Sequence, residues 1–482
     1  METLSTEDTH CKRVGGEPEV ARGCPERIRR VPGIFWVLML LYGLTASGRV
    51  GNVDASVTLE MTRALLRGSV ELPADCAVCA KGKDGIRTSQ YGLGHSLYLM
   101  PYVGAGRAAA RGVSRMPQEM WEEFFVSFAN VPLVGLLLAY LAWSWRRAGA
   151  SEFRVGVGLG LYGLGTMLWP YSKAPFSDTL MALATFAAWF HWTAPEGRFR
   201  GLITGLWLGM AMLSRRQSDA VVPLLVAMAG LDAFRTGRWG SLGGLMGGML
   251  PAAMARLAYN AARFGSPWIE KHPGIRGIEV VTRSKGDFQV WETLGGAASG
   301  ILPYNLIAVL VAAAGIVGLW RYSRRDAVVV AVMVTGGVGF LMRLPFSSGV
   351  SFGSRYAVYL VAFLGLAWPW VAWPRAWWSR ALWVPPLLAS LWLMLGGVVL
   401  DPVPVGIRCR VTDPPFQQWK AMNGEWARVL SPVHRSDLTA LEARADWRHD
   451  AFERPDFWWC HVLARVRGRN GVTEVPGGPP RP

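Results

Sequence analysis

Long apolar segments with almost no charge recur along this chain of 482 residues, and they constrain its fold more than any other feature. Each has the length a helix needs to cross a hydrocarbon core of roughly 30 Å, where every backbone polar group must be bonded internally. With 51% hydrophobic and only 17% charged residues, no soluble domain has room to bury them all. The clearest of these segments are 33–48, 176–192, 303–320, 326–342 and 380–400. The sequence therefore predicts an all-α polytopic membrane protein.

About eleven membrane spans are predicted, and the basic residues between them predict their orientation. The spans are expected near 33–48, 121–144, 152–170, 176–192, 200–214, 219–234, 241–260, 299–320, 326–343, 355–373 and 380–400. All the short basic loops then face the cytoplasm, as the positive-inside rule requires. These loops are 146–147, 196–200, 235–238, 321–325 and 375–380. This holds if segment 91–106, which is apolar but broken by Pro101, lies at the membrane surface. The N-terminus is therefore predicted inside and the C-terminus outside.

Three regions follow from this topology. Residues 1–30 are polar and predict a disordered cytoplasmic tail, and residues 31–400 form the predicted transmembrane domain. Within that domain, 49–118 is the first outer loop, and its stretch from Asp54 to Arg67 has the apolar spacing of a helix lying on a membrane surface. Residues 401–482 form an extracytoplasmic C-terminal region rich in tryptophan. The net charge of +16 lies in the loops and indicates membrane orientation rather than nucleic-acid binding.

Four of the six cysteines share the oxidising side in this topology, and they are candidates for disulfides. They are Cys76, Cys79, Cys409 and Cys460. A bridge can close the short Cys76–Cys79 ring or join the first loop to the C-terminal region. A zinc site built from the same four residues, or four inert thiols, are the alternatives.

The sequence lacks the motifs of soluble enzymes and of ATP-driven transport: there is no Walker sequence, zinc-protease helix, nucleophile elbow or dinucleotide fingerprint. Secondary transporters usually carry ionisable residues at mid-membrane. Here such residues are few, Arg256 being the clearest, and the polar residues gather at the outer ends of the predicted spans. This distribution favours chemistry at the outer membrane interface.

Several short motifs stand at these outer ends, and they occur in a particular order. They are Asp54 before the surface helix, the Tyr91–Tyr102 segment, Tyr171-Ser-Lys-Ala-Pro-Phe-Ser-Asp178, the glycine-rich stretch ending in Arg215-Arg216, Tyr259-Asn-Ala-Ala-Arg-Phe-Gly-Ser-Pro267 and Ser351-Phe-Gly-Ser-Arg-Tyr356. In this order they resemble the GT-C superfamily of membrane glycosyltransferases, which includes protein O-mannosyltransferases and lipid A aminoarabinose transferases. Two features depart from the family pattern: Ala55 follows Asp54 where Glu is common, and no Pro-Pro pair stands near His95.

The resemblance implies transfer of a sugar from a polyprenyl-phosphate-linked donor to an extracytoplasmic acceptor, at the cell membrane. It implies Asp54 as the general base, Asp178 as a second catalytic carboxylate, and arginines paired with the lipid phosphate. The predicted substrate-binding residues are Lys173, Arg215, Arg216, Arg355, Tyr356 and His95. No cofactor is expected, and because the first loop has no Asp-x-Asp pair, metal independence is favoured.

Each of these residues also has a structural interpretation. Asp54 is a candidate N-cap, and Asp178 can cap the fourth span or pair with Lys173. The arginines and Tyr356 can anchor helix ends at the lipid headgroups, and His95 can be an ordinary satisfied polar residue. For the whole protein, the alternatives are a transporter or flippase of a lipid-linked or anionic substrate, and a non-catalytic scaffold that presents the Trp-rich tail.

Overall fold

The computed structural model describes residues 32–74, 76, 79–112, 117–194, 197, 199–269, 294–295, 300–343, 355–372, 376, 381–399 and 457–459. Within these ranges the chain is mostly helical. The predicted tail 1–30, Cys409, Cys460 and nearly all of the C-terminal region lie outside the described residues.

The first half of the chain begins with a helix, enters a loop region with a small hairpin, and continues as a series of helices. The elements are α1 (Gly33–Thr45), α2 (Val53–Leu65), β1 (Ala80–Lys81), a 3-10 turn (Lys83–Gly85), β2 (Arg87–Thr88), α3 (Leu93–Gly112), α4 (Gln118–Ser127), α5 (Asn130–Arg147), α6 (Glu152–Leu164), α7 (Leu168–Ser172) and α8 (Ser177–Thr193). Strands β1 and β2 pair antiparallel.

The second half is mainly helical in its described parts. Its elements are α9 (Arg200–Ser214), α10 (Ser218–Thr236), α11 (Trp239–Phe264), α12 (Ile301–Tyr304), α13 (Leu306–Tyr322), α14 (Arg324–Arg343), a 3-10 turn (Arg355–Ala357), α15 (Val358–Gly365), a 3-10 turn (Trp368–Trp370) and α16 (Val384–Val399). Residues 457–459 dock on the end of α1, where the backbone N–H of Trp458 donates to Ala46 (2.9 Å) and its indole N–H to Gly43 (3.1 Å).

Helix α8 is the centre of the core, since nearly all of its residues are buried. A helix that is apolar on every side belongs inside a larger assembly of helices, and α8 packs against α5, α9 and α15. Several other helices expose large apolar side chains instead. Examples are Trp36, Leu40, Leu231, Phe234, Met246, Leu250 and Met254. Apolar surface on this scale suits contact with lipid rather than water.

Where their residues are described, the predicted spans fall largely on helices, whereas their number and orientation remain predictions. By length and composition alone, one helical run in the described part, Gln118–Arg147, is long and apolar enough to cross a membrane. Four shorter apolar helices accompany it: Gly33–Thr45, Leu306–Tyr322, Arg355–Gly365 and Val384–Val399.

The prediction that Pro101 breaks the apolar segment of the first loop is wrong. Helix α3 runs for 20 residues with Pro101 in its interior. Proline removes one backbone hydrogen bond and crowds the preceding turn, which costs about 3 kcal/mol in an isolated helix. Packing offsets that cost here, because Leu99, Val103 and Gly106 are buried where α3 meets α2 and α4.

Candidate active site

Asp54 lies in the first turn of α2, but it does not cap the helix. That role belongs to Asn52, whose side chain accepts a hydrogen bond from the backbone N–H of Ala55 at 2.7 Å. The structural interpretation of Asp54 as an N-cap is therefore wrong. Because Asn52 satisfies the helix end, the Asp54 carboxylate is available for other contacts, and 22% of its side chain is exposed.

The Asp54 carboxylate is held by a tyrosine and two arginines from distant parts of the chain. Its Oδ1 accepts a hydrogen bond from the Tyr91 hydroxyl. Its Oδ2 lies 2.5 Å from Nη1 of Arg355 and 3.8 Å from Nη1 of Arg215. Burial alone favours the neutral acid. The charge of Arg355, the charge of Arg215 and the hydrogen bond from Tyr91, in that order of size, together outweigh burial. They hold the pKa of Asp54 below its usual value. Asp54 is therefore ionised at neutral pH.

Asp178 lies in the first turn of α8, where it binds Arg215 rather than the helix end. Nε and Nη2 of Arg215 donate to the two carboxylate oxygens at 3.1 and 2.5 Å. No side-chain hydrogen bond caps α8, so the interpretation of Asp178 as a cap is also wrong. Both partners are buried. This bidentate pair fixes the plane of the Arg215 guanidinium, whose third nitrogen points toward Asp54.

Arg355 and Tyr356 form the 3-10 turn that precedes α15, and both are buried. Nη2 of Arg355 donates to the Tyr356 hydroxyl at 3.0 Å, while its Nε has no hydrogen-bond partner among the described residues. The Tyr356 ring lies 5.5 Å from the Arg215 guanidinium, within the range of a cation–π contact. Asp54, Asp178, Arg215, Arg355 and Tyr356 thus form one cluster, the carboxylate–arginine cluster.

The three remaining predicted residues are placed differently. Lys173 is buried and donates a hydrogen bond to the backbone oxygen of Val398 on α16 at 2.8 Å. Arg216 is exposed. His95 is buried on α3, and neither ring nitrogen has a hydrogen-bond partner in good geometry among the described residues. Burial, followed by the charge of Arg215, lowers the pKa of His95 to about 3, so its imidazole is neutral and offers no positive charge to an anion.

Two residues that contact or support the cluster were not assigned a role from the sequence. Tyr91 was recognised only as the start of an apolar segment, although a tyrosine beside a charged site usually finds a polar partner. Arg263 belongs to the quoted Tyr259–Pro267 motif, and the structure shows what it binds. Its Nη1 donates to the backbone oxygens of Ser89 and Tyr91 at 2.6 and 3.1 Å, and its Nη2 donates to Oδ1 of Asn260 at 2.6 Å.

Close backbone packing brings Tyr91 to the end of α9. A side chain at Gly92 would clash with the backbone of Leu213 and Ser214, so the loop lies directly on the last turn of that helix. The residue that directly follows α9 is Arg215, and its guanidinium lies 5.9 Å from the Tyr91 ring. The glycine therefore allows the first outer loop and α9 to supply neighbouring groups to one cluster.

Elsewhere in the first loop, Cys76 and Cys79 form a disulfide. This is one of the pairings that the sequence left open. In the described part of the chain, no three or more His, Cys, Asp or Glu residues are grouped as a metal site would require.

Comparison with known proteins gave one structural similarity. No family model matches the chain, and no curated protein matches its sequence. Among solved structures, the chain is similar to the crystal structure of ArnT from Cupriavidus metallidurans bound to undecaprenyl phosphate. The identity is 13%, the alignment covers 81% of this chain and 73% of that one, and the TM-score is 0.45. ArnT is an aminoarabinose transferase, a member of the superfamily that the sequence motifs resemble.

Proposed function

We propose that this protein is a membrane glycosyltransferase that moves a sugar from a polyprenyl-phosphate-linked donor to an extracytoplasmic acceptor. The observation that supports this most is the carboxylate–arginine cluster. It offers an ionised, partly exposed carboxylate, Asp54 near the start of the first outer loop, next to the guanidinium groups of Arg215 and Arg355. A sugar transfer from a lipid phosphate needs both kinds of group, a proton acceptor and a cation for the leaving phosphate.

Asp54 is the proposed general base. The acceptor hydroxyl or amine forms a bond to the anomeric carbon and gives its proton to the carboxylate, while the bond from that carbon to the phosphate oxygen breaks. Attack from the face opposite the leaving group inverts the configuration. Asp54 has the exposure that an incoming acceptor requires, whereas the Asp178 side chain is only 4% exposed. We therefore propose that Asp178 contributes through Arg215, which it holds in place.

Arg355 and Arg215 are the proposed partners of the leaving phosphate. Arg355 has an Nε–H without a hydrogen-bond partner in the described structure, so it can donate to a new acceptor without losing its present contacts. The negative charge of a phosphate bound there also counters the arginine charges that lower the pKa of that carboxylate. Binding of the donor thus makes Asp54 a stronger base when it is needed.

The proposed location is the cell membrane, with the N-terminus in the cytoplasm and the cluster on the outer side. The Cys76–Cys79 disulfide supports an oxidising environment for the first loop. Reporter fusions at Gly149 and at Lys271, which lies outside the described residues, test this directly. An outward-facing Gly149 or an inward-facing Lys271 would overturn the orientation. Independence from cofactors and divalent metals remains a prediction, tested by activity after treatment with EDTA.

The decisive experiment follows both products of the reaction. Purified protein in detergent, given a polyprenyl-phosphate sugar and an acceptor, is expected to release polyprenyl phosphate and form a glycosylated acceptor. The Asp54→Asn variant is expected to lose about 10²–10⁴-fold in rate. Asp84→Asn, which removes an exposed carboxylate from the same loop, is the matched control.

The runner-up function, a flippase or transporter of a lipid-linked or anionic substrate, makes the opposite prediction. It moves the intact donor across a vesicle membrane without breaking the sugar–phosphate bond, and it retains this activity in Asp54→Asn. A scaffold that presents the C-terminal region does neither. Full transfer activity in Asp54→Asn would refute the proposed base.

A further inference from the structure

A narrow cleft lies at the far end of α8, roughly 20 Å from Asp178 by the rise of the helix. The predicted topology places this end of the helix on the cytoplasmic side. The cleft is formed by α8, α9, α10 and α11, and it has about 180 Å³ of empty space, including its open side. Its lining is apolar apart from Thr204 and the indole N–H groups of Trp189 and Trp192.

The helices that form this cleft also expose large apolar side chains on their outer surface. Leu202 and Leu206 project from α9, and Leu231 and Phe234 from α10. Such a surface lies against lipid rather than water. A water molecule bound in a cleft needs two to four polar partners, which this lining does not offer. An alkyl chain is therefore the occupant that matches the cleft.

Two arginines lie over the tryptophan rings of the cleft. The guanidinium of Arg200 is 5.3 Å from the Trp192 ring, and that of Arg325 is 5.9 Å from the Trp189 ring. Nε of Arg325 is buried and has no hydrogen-bond partner among the described residues. Its neighbouring carboxylate, Asp232, lies 3.7 Å from Nη1, which is beyond hydrogen-bonding distance. Arg325 therefore has a donor available for a further acceptor.

The charge at this end of the molecule favours an anion. Asp326 and Asp232 are already engaged, since each accepts an indole N–H from a tryptophan of the cleft at 3.1 Å. Helix α9 begins here without a side-chain cap, so its dipole adds partial positive charge. The residues around the α10–α11 and α13–α14 turns add four more arginines: Arg235, Arg238, Arg321 and Arg324.

We propose that the cleft binds an anionic phospholipid, with an acyl chain between the helices and the phosphate on Arg200 and Arg325. Basic pockets between membrane helices on the cytoplasmic side are suited to acidic lipid headgroups. Arg325 can donate its Nε–H to the phosphate without leaving Asp232. The lipid bridges the starts of α9 and α14 across α8, so its binding stabilises the helix bundle. This site is separate from the carboxylate–arginine cluster and does not depend on the proposed function.

Thermal unfolding of the full-length, delipidated protein in detergent tests the inference. Dioleoyl phosphatidylglycerol is expected to raise the unfolding temperature at about tenfold lower concentration than phosphatidylcholine with the same chains. Arg325→Gln is expected to weaken the affinity for phosphatidylglycerol about fivefold, which is the effect of one basic side chain at a headgroup. Arg324→Gln removes an exposed arginine one residue away and is the matched control, with unchanged affinity.

The part of the site that holds the chain is tested at Ala229 in the wall of the cleft. Ala229→Leu fills the cleft without changing a charge and is expected to abolish the effect of phosphatidylglycerol while the lipid-free protein stays folded. If that variant does not fold, glycerol phosphate gives the same test. It carries the phosphate without a chain and is expected to bind on the order of a hundredfold more weakly. Comparable binding of the two would refute the role of the cleft.

Three other results would overturn the proposal. Equal effects of phosphatidylglycerol and phosphatidylcholine would show that the headgroup is not recognised. Equal losses in Arg325→Gln and Arg324→Gln would show general attraction to a basic surface. Arg216→Gln lies at the opposite end of the helices and is expected to leave the affinity unchanged, so a loss there would place the lipid beside the carboxylate–arginine cluster. None of these measurements involves sugar transfer, so their outcome is independent of the proposed function.

Discussion

Arg263 on α11 donates hydrogen bonds to the backbone of Tyr91, the residue whose hydroxyl holds Asp54. The same guanidinium also binds Ser89 and Asn260, so a single side chain joins the end of α11 to the loop that leads into α3. Through Tyr91, Arg263 on α11 thus helps to position Asp54. Arg263 can therefore be substituted without changing any of the groups proposed to react.

Arg263→Lys is therefore expected to lower both stability and transfer. An ammonium group lacks the planar fork that reaches several acceptors, so buried backbone oxygens lose their donors at a cost of about 1–3 kcal/mol. Thermal unfolding in detergent measures the first effect, and the rate at saturating donor measures the second. Arg67→Lys is the control, and an equal response from that exposed position would contradict the role of Arg263.

A second prediction concerns the buried Asp178–Arg215 pair. Asp178→Asn removes the bidentate partner of a buried guanidinium and is expected to destabilise the protein by about 3–5 kcal/mol. The double variant Asp178→Asn/Arg215→Gln removes both charges and is expected to recover part of that stability. A double-mutant cycle from denaturation curves gives the coupling energy. Additive losses would show that the two residues do not interact as the distances imply.

The pH dependence of transfer gives a third prediction. Burial raises the pKa of Asp54, but Arg355, Arg215 and the Tyr91 hydroxyl together lower it below its ordinary value. Asp54 thus stays ionised on the acid side of neutrality, and the acid limb of the activity profile lies at low pH. Removing one hydrogen bond to the ionised form, in Tyr91→Phe, raises that pKa and moves the acid limb to higher pH.

The measurement is kcat/KM against pH for the native protein and for Tyr91→Phe. The same sign applies to stability: a depressed Asp54 pKa stabilises the fold above the unfolded pKa, and this contribution is lost as the pH falls through the folded value. Tyr102→Phe removes a hydroxyl from α3 that does not contact Asp54 and should leave the acid limb in place.

Close packing of α9 on α11 gives a fourth prediction. A Cβ atom at Gly205 would overlap the backbone of Leu245 and Gly248, so Gly205→Ala must separate the two helices. We expect a loss of about 1–3 kcal/mol. Gly230→Ala is the control, because nothing lies within 4 Å of its added methyl group and alanine favours a helix interior. Equal unfolding temperatures for both variants would contradict the close approach.

Particular residues show what could be predicted from the sequence and why. The sequence identifies Arg215 because it falls on the predicted outer side, where the charge rule disfavours arginine. It identifies Arg355 through the Ser351–Tyr356 motif, and Asp54 because it begins a predicted surface helix. The partners of each residue were beyond prediction, since Tyr91, Arg355 and Asp54 are far apart in the chain and only packing joins them. Asn52 caps the helix because it directly precedes the first helical residue. Asp54, two positions later, is also a residue type that caps helices, so the sequence alone does not distinguish the two.

Arg216 and Arg215 are adjacent in sequence, yet Arg216 is exposed to solvent whereas Arg215 is buried and paired with Asp178. Buried ion pairs are screened little by dissolved salt, whereas exposed charges lose much of their reach when the Debye length falls below about 10 Å. Ionic strength should therefore act on the two differently. If the proposed function holds, raising it is expected to weaken capture of an anionic substrate by the exposed Arg216, while the rate at saturating substrate, set by the buried cluster, is expected to stay nearly constant.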